Sequence, residues 1–351
     1  MKPIWSGVER LLREASITGV RAHQLGPLAA QMFRAAGDPV PPELVEEERV
    51  TVYALLSVEP LLERIRSAAS GPLLVFKGPE VGLRYPGRGR WFGDLDLLVP
   101  DAAAVHRELQ ASGFVEVGDP ALYVDIHHLR PLQWRSLPLV VEVHSEPKWP
   151  ERLRPPRVEE IVEAAVPSQL GIDGISAPDP VHHTLILAAH GWAHEPLRRL
   201  RDLVDVVALA GECEASEVER TARAWHLTRL WHTTDAAARA LFAEETSSTV
   251  PLRTWARHLP EVRERTVAEN HLQAWFANYW ALPPHEALRS HAAAIGHDLT
   301  PRGGESWRRK LARAGAAMGA ARAPLSDHHR ALDEADRSGL AASPENAEDA
   351  E

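Results

Sequence analysis

Apolar residues recur at two different spacings along the chain, and each spacing occupies its own stretch. In the first 70 residues they return every three or four positions, as in Val52, Leu55 and Leu56, which is the period of a helix with one buried face. From residue 71, short unbroken apolar runs replace this pattern; the run at 73–76 lies between Gly-Pro and Lys-Gly, and the run at 95–99 ends at Pro100. The pattern therefore predicts helices first and buried strands after them.

The remaining pattern completes a four-part organisation. Asp101 is placed to cap a helix that runs to about residue 111. Further extended segments are predicted at 114–117, 122–126 and 137–143, which makes a small α/β unit. Helical spacing returns after residue 178 and predicts helices at 181–194, 197–209, 216–225, 227–242, 262–280 and 307–321. We therefore expect an N-terminal helical segment packing on the core (1–70), an α/β core (71–167), a helical domain (168–322) and a disordered acidic tail (323–351).

Composition and charge exclude several classes of protein. The chain has 351 residues, of which 44% are hydrophobic, so a fibrous or wholly disordered protein is excluded. Its one cysteine, Cys213, excludes an internal disulfide and any cysteine-cluster metal site. The formal net charge is −10, and residues 326–351 hold eight acidic residues against two arginines, so we expect no duplex nucleic-acid surface. No apolar run approaches the roughly 20 residues that span a bilayer, so we expect a cytoplasmic protein without membrane contact.

Two aspartates on one predicted strand are the strongest sign of chemistry. On a strand, alternate residues share a face, so Asp94 and Asp96 project together while Leu95 and Leu97 face the other way. Neighbouring carboxylates repel each other, and a hard divalent cation with oxygen ligands, Mg²⁺ or Mn²⁺, would relieve that repulsion. The same spacing also occurs as solvated acids on an edge strand, so both interpretations stay open on this motif alone.

A glycine turn lies between the two predicted strands. Lys77-Gly78 ends the first strand just before a predicted helix at 79–85, where backbone N–H groups can approach a phosphate and the lysine adds a positive charge. Arg84 and Arg90 follow this turn and are predicted to bind nucleotide together with Lys77 and Gly78. A tight turn with surface cations is the alternative interpretation.

A third acid lies in a later apolar run. Glu142 stands among Val140, Val141 and Val143, and a charge in such surroundings should be paired or metal-bound. His144 shares its face. For Glu142 the alternative is an exposed edge-strand face, and for His144 it is a hydrogen-bonding neighbour of the acids.

Taken in order, these motifs resemble a known family. Lys-Gly, Arg90-x-x-Gly93-Asp94-x-Asp96, His128-x-x-Pro131 and Val141-Glu142-Val143-His144 resemble the uncharacterised nucleotidyltransferase group of the DNA polymerase beta-like superfamily, and the later Ala189-His190-Gly191 resembles its helical half. The resemblance extends over roughly residues 73–209. It implies an α+β fold, with a small mixed sheet of the nucleotidyltransferase type flanked by helices, N-terminal helices and a C-terminal helical domain.

The resemblance also implies a reaction. Asp94 and Asp96, with Glu142 as the third carboxylate, would hold two Mg²⁺ or Mn²⁺ ions and move an NMP group from an NTP, such as ATP, to an acceptor hydroxyl. The acceptor is unidentified: a small molecule, a protein or RNA would suit the same cluster, and nucleic acid enters only in this role. His128, His144 and His190 mark a possible acceptor site. The sequence does not indicate an oligomeric state.

Two alternative functions remain open at this stage. Most of the superfamily has Gly-Ser in the phosphate turn, whereas Gly78 is followed here by Pro79, so the fold could serve as a non-catalytic nucleotide- or partner-binding module. A metal phosphohydrolase using His190, His194 and Asp205 is a third hypothesis, although the chain has no adjacent His-Asp pair there.

Overall fold

A computed structural model describes residues 4–123, 128–135, 137–243, 248–301 and 306–330. The first 70 residues are helical, as predicted, and form α1 (Ile4–Glu14), α2 (Ile17–Ala22), α3 (Gly26–Ala36) and α4 (Pro42–Ala68) where the structure describes them. Their apolar spacing places Val8, Leu12, Leu61 and Leu62 in the protein interior. The N-terminal helical segment is therefore packed against the rest of the molecule along its buried face.

A seven-stranded mixed sheet follows. Its strands in chain order are β1 (Leu73–Val75), β2 (Asp94–Leu98), β3 (Val115–Glu116), β4 (Leu132–Gln133), β5 (Val140–His144), β6 (Val166–Pro167) and β7 (Ile175–Ala177). Their order across the sheet is β3-β4-β5-β2-β1-β7-β6. β2 and β5 are parallel neighbours, as are β1 and β7, and the other neighbouring pairs are antiparallel. The central strands β2 and β5 are those on which the sequence places its acidic residues.

Helices connect and flank the strands. Those within the sheet region are α5 (Pro79–Gly82), α6 (Ala102–Ala111) and α7 (Val158–Glu163). The later ones are α8 (Pro180–His194), α9 (Leu200–Ala210), α10 (Ala215–Ala224), α11 (Thr228–Phe242), α12 (Val250–Thr254), α13 (Val267–Phe276), α14 (Pro284–Leu299) and α15 (Trp307–Gly319). Asp101 caps α6 as predicted, since its carboxylate accepts from the Ala104 N–H at 2.8 Å. Asp179 caps α8 in the same way, directly before a proline at the first helical position.

The two faces of the sheet are buried by different helices. On one face, Leu95, Leu97 and Val99 join a core with Leu61 of α4 and Leu109 of α6. The other face belongs to a second core, in which Leu74, Phe76 and Leu98 join residues of α8, α9 and α11. The acidic residues of β2 alternate with Leu95 and Leu97, so they lie on this second face, toward α8.

The sheet differs from the predicted one in two respects. The extended segment expected at 122–126 is wrong where the structure describes it, because residues Pro120–Tyr123 form a 3-10 helix; 124–127 lie outside the described residues. β7 pairs in parallel with β1, so the sheet extends beyond the predicted boundary at residue 167. Strands as short as β6 and β7 contain too few residues for an alternating pattern to be recognised in the sequence. They form because pairing with neighbouring strands stabilises them.

The predicted acidic tail lies largely outside the described residues, which end at 330. Its first part is helical at 325–330, and the Ser326 N–H donates to Glu264 Oε1 at 2.7 Å. Among the described helices, none combines the length and apolar character that a membrane crossing requires.

Candidate functional site

The register of two strands brings the three predicted acids together. β2 and β5 pair so that Asp96 lies directly opposite Glu142, with Asp94 opposite Val140. Neighbouring strands lie about 4.8 Å apart and alternate residues share a face, so Asp94, Asp96 and Glu142 all project toward α8. This face of the two central strands is therefore an acidic cluster, hereafter the carboxylate cluster.

Asp96 is the buried centre of the cluster and has two positively polarised partners. Its side chain is 1% exposed. Lys77 Nζ lies 2.5 Å from Asp96 Oδ1, and His144 Nε2 donates to the same oxygen at 2.9 Å. Burial alone would raise the pKa of Asp96, but the Lys77 ammonium and the His144 hydrogen bond outweigh it and hold this pKa far below its ordinary value. Asp96 is therefore ionised at neutral pH.

Asp94 and Glu142 border this ion pair. Burial, and then the charge of Asp96, raise the pKa of Asp94 to about 6. The Asp94 carboxylate has no hydrogen bond or ion pair within the part of the chain that the structure describes. For Glu142, burial raises and the neighbouring His144 lowers the pKa, and the net shift is downward. The cluster thus holds more negative charge than Lys77 alone compensates.

The described residues contain one group of side chains with metal-binding spacing. Ligand atoms of Asp96, Glu142 and His144 all lie within 4.8 Å of one another. Two carboxylates and an imidazole suit Mn²⁺, and the carboxylates suit Mg²⁺. The sequence predicted Asp94, Asp96 and Glu142 as the metal ligands and His144 as part of a possible acceptor site. The structure groups His144 with Asp96 and Glu142 because β5 brings His144 back toward Asp96, and the role of Asp94 as a ligand stays a prediction.

The glycine turn packs directly on the strand that bears the acids. Gly78 has φ +54° and ψ −119°, and a Cβ there would lie 3.0 Å from the Asp94 carbonyl oxygen. Residues with a side chain rarely adopt this conformation, so both the backbone and the space require glycine. Arg90 supports the turn by donating to the Gly78 carbonyl oxygen at 3.3 Å. The turn is therefore held at the carboxylate cluster, as the sequence indicated.

We expect Gly78→Ala to lower the free energy of unfolding by about 3 kcal/mol, because the substitution combines a strained φ with a close contact to Asp94. Gly37→Ala is the matched control: its φ is +77°, but nothing lies within 4 Å of the added methyl group. We expect the control to lose only about 1 kcal/mol. Urea unfolding of both variants measures the difference, and equal losses would show that the Asp94 contact is unimportant.

The structure gives the two predicted nucleotide-binding arginines structural partners. Arg84 pairs with the fully buried Glu80 at 2.8 Å and with Glu212 at 3.1 Å. Arg90 is buried and makes a bidentate pair with Asp205, with both N–O distances 2.7 Å. Their role in nucleotide binding stays a prediction, and these contacts favour a structural one.

The three predicted acceptor-site histidines lie on or near the cluster. His128 Nε2 is 3.8 Å from Glu142 Oε2, and the His128 and His144 rings are 5.1 Å apart. His190 lies on α8, where burial and then the charge of Lys77 lower its pKa well below the ordinary value. Asp205, by contrast, pairs with Arg90 and accepts a hydrogen bond from the Tyr85 hydroxyl at 2.6 Å. These contacts argue against Asp205 as the metal ligand of a phosphohydrolase.

One cation near the site was missed from the sequence. Lys148 lies in the segment after β5, and its Nζ donates to His194 Nδ1 on α8 at 2.9 Å. The sequence signal was its position four residues after His144, but a single lysine in a loop is not distinctive.

A protein-family model matches about two thirds of this chain. The model of a family described as "Uncharacterised nucleotidyltransferase" matches residues 13–243, which is more than half of the chain and includes the whole sheet and α8 to α11. A search of curated proteins found no match. The mixed α+β architecture is consistent with a nucleotidyltransferase-type fold, as expected from the motifs. The chain therefore belongs to this family of uncharacterised nucleotidyltransferases.

Proposed function

We propose that the protein transfers an NMP group from an NTP to an acceptor hydroxyl at the carboxylate cluster, with a divalent metal ion as cofactor. One observation carries this proposal: in a member of a nucleotidyltransferase family, Asp94, Asp96 and Glu142 converge on one face of two parallel strands, beside a glycine turn. A structural role does not require three mutually repelling carboxylates at one place.

The residues present fit a divalent metal ion. Asp96 Oδ1 is taken by Lys77 and His144, but Asp96 Oδ2 has no partner among the described residues, and neither has the Asp94 carboxylate. Glu142 and His144 complete the donor set. When bound, Mg²⁺ or Mn²⁺ would neutralise the phosphate charge and lower the pKa of the acceptor hydroxyl.

The transfer step needs a proton acceptor, and Glu142 is placed for that role. The acceptor oxygen forms a bond to the α-phosphorus as the bond from that phosphorus to the bridging oxygen breaks, and pyrophosphate leaves with the electron pair. The hydroxyl proton passes to the Glu142 carboxylate, whose lowered pKa keeps it ionised and whose side chain is 20% exposed. His128, 3.8 Å from Glu142, would lie on the acceptor side.

The glycine turn contributes positioning and charge. Buried Gly78 lets the backbone approach the strand that bears Asp94, which is the arrangement that admits a phosphate close to main-chain N–H groups. Lys77 acts on the cluster itself through its ion pair with Asp96. The serine that most of the superfamily has after the turn glycine is replaced here by Pro79.

Calorimetric binding of each of the four common NTPs, with Mg²⁺ and with EDTA, tests the proposal. We expect wild-type protein to bind an NTP only with the metal, and Asp94→Ala/Asp96→Ala to lose this binding. Glu63→Ala, an exposed acid on α4, is the control and should bind like wild type. Folded wild-type protein that binds no NTP under any condition would contradict the proposal.

A second function is supported by a specific contact. Lys77 and His144 both contact Asp96 Oδ1 and so compensate part of its charge, which would suit a non-catalytic nucleotide- or partner-binding module on the same fold. The two functions differ in turnover. NTP binding without pyrophosphate release in the presence of a cell extract would favour the binding module, whereas release that requires Asp96 would favour the enzyme.

A further inference from the structure

Lys148 has unused hydrogen-bonding capacity beside α8, the helix toward which the carboxylate cluster projects. An ammonium group carries three N–H donors, and the contact with His194 Nδ1 at 2.9 Å uses one of them. Lys148 makes no other hydrogen bond, and no ion pair, with any residue that the structure describes. Two donors and the full positive charge therefore remain for a ligand.

His194 of α8 holds Lys148 in place, and His190 of the same helix packs against His194. His194 and His190 are one helical turn apart, and their rings meet edge to face with centroids 4.5 Å apart. Burial, and then the charge of Lys148, lower the pKa of His194 to about 4, so at neutral pH this ring is an uncharged acceptor. His190 Nδ1 is buried and has no partner among the described residues. The helix thus orients the lysine without neutralising it.

Lys148 is influenced by one positive and one negative side chain, Lys77 and Glu142. Burial and then the charge of Lys77 lower the pKa of Lys148, whereas Glu142 acts in the opposite direction. Lys148 is therefore within electrostatic reach of both the glycine-turn lysine and the third acid of the cluster.

A bound triphosphate requires cations that the glycine turn does not supply. Lys77 is paired with Asp96, Arg84 with Glu80, and Arg90 with Asp205. Each of the three predicted phosphate-binding cations thus has a carboxylate partner of its own. Lys148 has none among the described residues, and phosphate oxygens are strong acceptors of charge-assisted hydrogen bonds.

On the basis of the proposed function, we infer that Lys148, oriented by His194, binds the β- and γ-phosphates of the nucleotide donor. In this arrangement the carboxylate cluster lies at the α-phosphorus and Lys148 lies on the side where pyrophosphate leaves. The lysine would then contribute to affinity for a triphosphate but not for a monophosphate, because a monophosphate lacks the groups that it contacts.

Binding measurements on a lysine series test this inference. The proteins are wild type, Lys148→Met, Lys148→Arg and Arg152→Met, and the ligands are the bound NTP, its NMP and inorganic tripolyphosphate, all with Mg²⁺. Arg152 is the matched control because its substitution removes one positive charge from the same segment, where it pairs with Glu286 at 3.2 Å. We expect Lys148→Met to weaken NTP and tripolyphosphate binding at least about tenfold and to leave NMP binding unchanged.

The other outcomes separate the two proposals. Lys148→Arg should stay within about threefold of wild type, and Arg152→Met should bind all three ligands normally. If Lys148→Met weakens NTP and NMP binding equally, or weakens neither of them, the proposed role of Lys148 in phosphate binding is overturned while the proposed function stands. Wild-type protein that binds neither NTP nor tripolyphosphate would overturn both. Should Lys148→Met fail to fold, His194→Leu replaces it, with the same selective loss expected at about threefold because the lysine is no longer oriented.

Discussion

We expect Asp96→Asn to lower the rate of NMP transfer at least about 1,000-fold. The substitution preserves the shape of the side chain but removes the charge at the buried centre of the carboxylate cluster. Metal-assisted stabilisation of charge in the transition state amounts to several kcal/mol, and about 4 kcal/mol corresponds to this factor in rate. Transfer of label from an α-labelled NTP into the components of a cell extract measures the rate for whichever acceptor the extract contains.

The fold of this variant should survive. Lys77 loses its carboxylate partner, but its side chain is 13% exposed and the repulsion between Asp96 and Asp94 disappears at the same time. Glu63→Gln, which removes the charge of an exposed acid on α4, should transfer at the wild-type rate. If Asp96→Asn, shown to be folded by circular dichroism, kept its rate within about tenfold of wild type, the carboxylate cluster would not be the reaction centre.

The largest effect on stability is expected for Arg90→Met. Arg90 and Asp205 are 5% and 6% exposed and form two N–O contacts of 2.7 Å, so the substitution leaves a buried carboxylate without its cation. Breaking such a pair from one side lowers the free energy of unfolding by about 3–5 kcal/mol. Denaturant unfolding at pH 7 measures this loss directly.

Two further variants isolate the ion pair as the cause. Arg257→Met breaks an exposed pair with Glu261, with side chains 57% and 42% exposed, and should lose less than about 1 kcal/mol. Arg90→Met/Asp205→Asn removes both charges but keeps an acceptor for the Tyr85 hydroxyl, so it should be more stable than Arg90→Met alone. A loss below about 1 kcal/mol in Arg90→Met would contradict a stabilising role for this pair.

Arg90 shows how tertiary contacts change the interpretation of a motif. Its position between the glycine turn and the acids predicted a phosphate contact. The structure pairs it with Asp205, which is 115 residues later in the chain, and with the Gly78 carbonyl. A local sequence pattern could not predict this contact, because the two residues are far apart along the chain.

Local patterns were reliable where a single segment decides the outcome. The apolar run at 95–99 is β2, displaced by one residue, and the alternation within it is what places Asp94 and Asp96 on the same face. Asp101 caps its helix because the acceptor and the N–H group are three residues apart. Long helices such as α8 and α11 were likewise predicted within a few residues, since their apolar faces repeat over several turns.

By itself, the sequence determined the two central strands and the shared face of Asp94 and Asp96, because each depends on the period of one element, and its motifs implied the class of fold through their resemblance to a known family. The tertiary structure alone decided which charges meet. It paired Lys77 with Asp96, brought His144 into the group with metal-binding spacing, and placed Lys148 against His194. The first two contacts depend on the pairing of strands within the sheet, and the third depends on the packing of the segment after β5 against α8. Their energies depend on burial, which no single segment specifies.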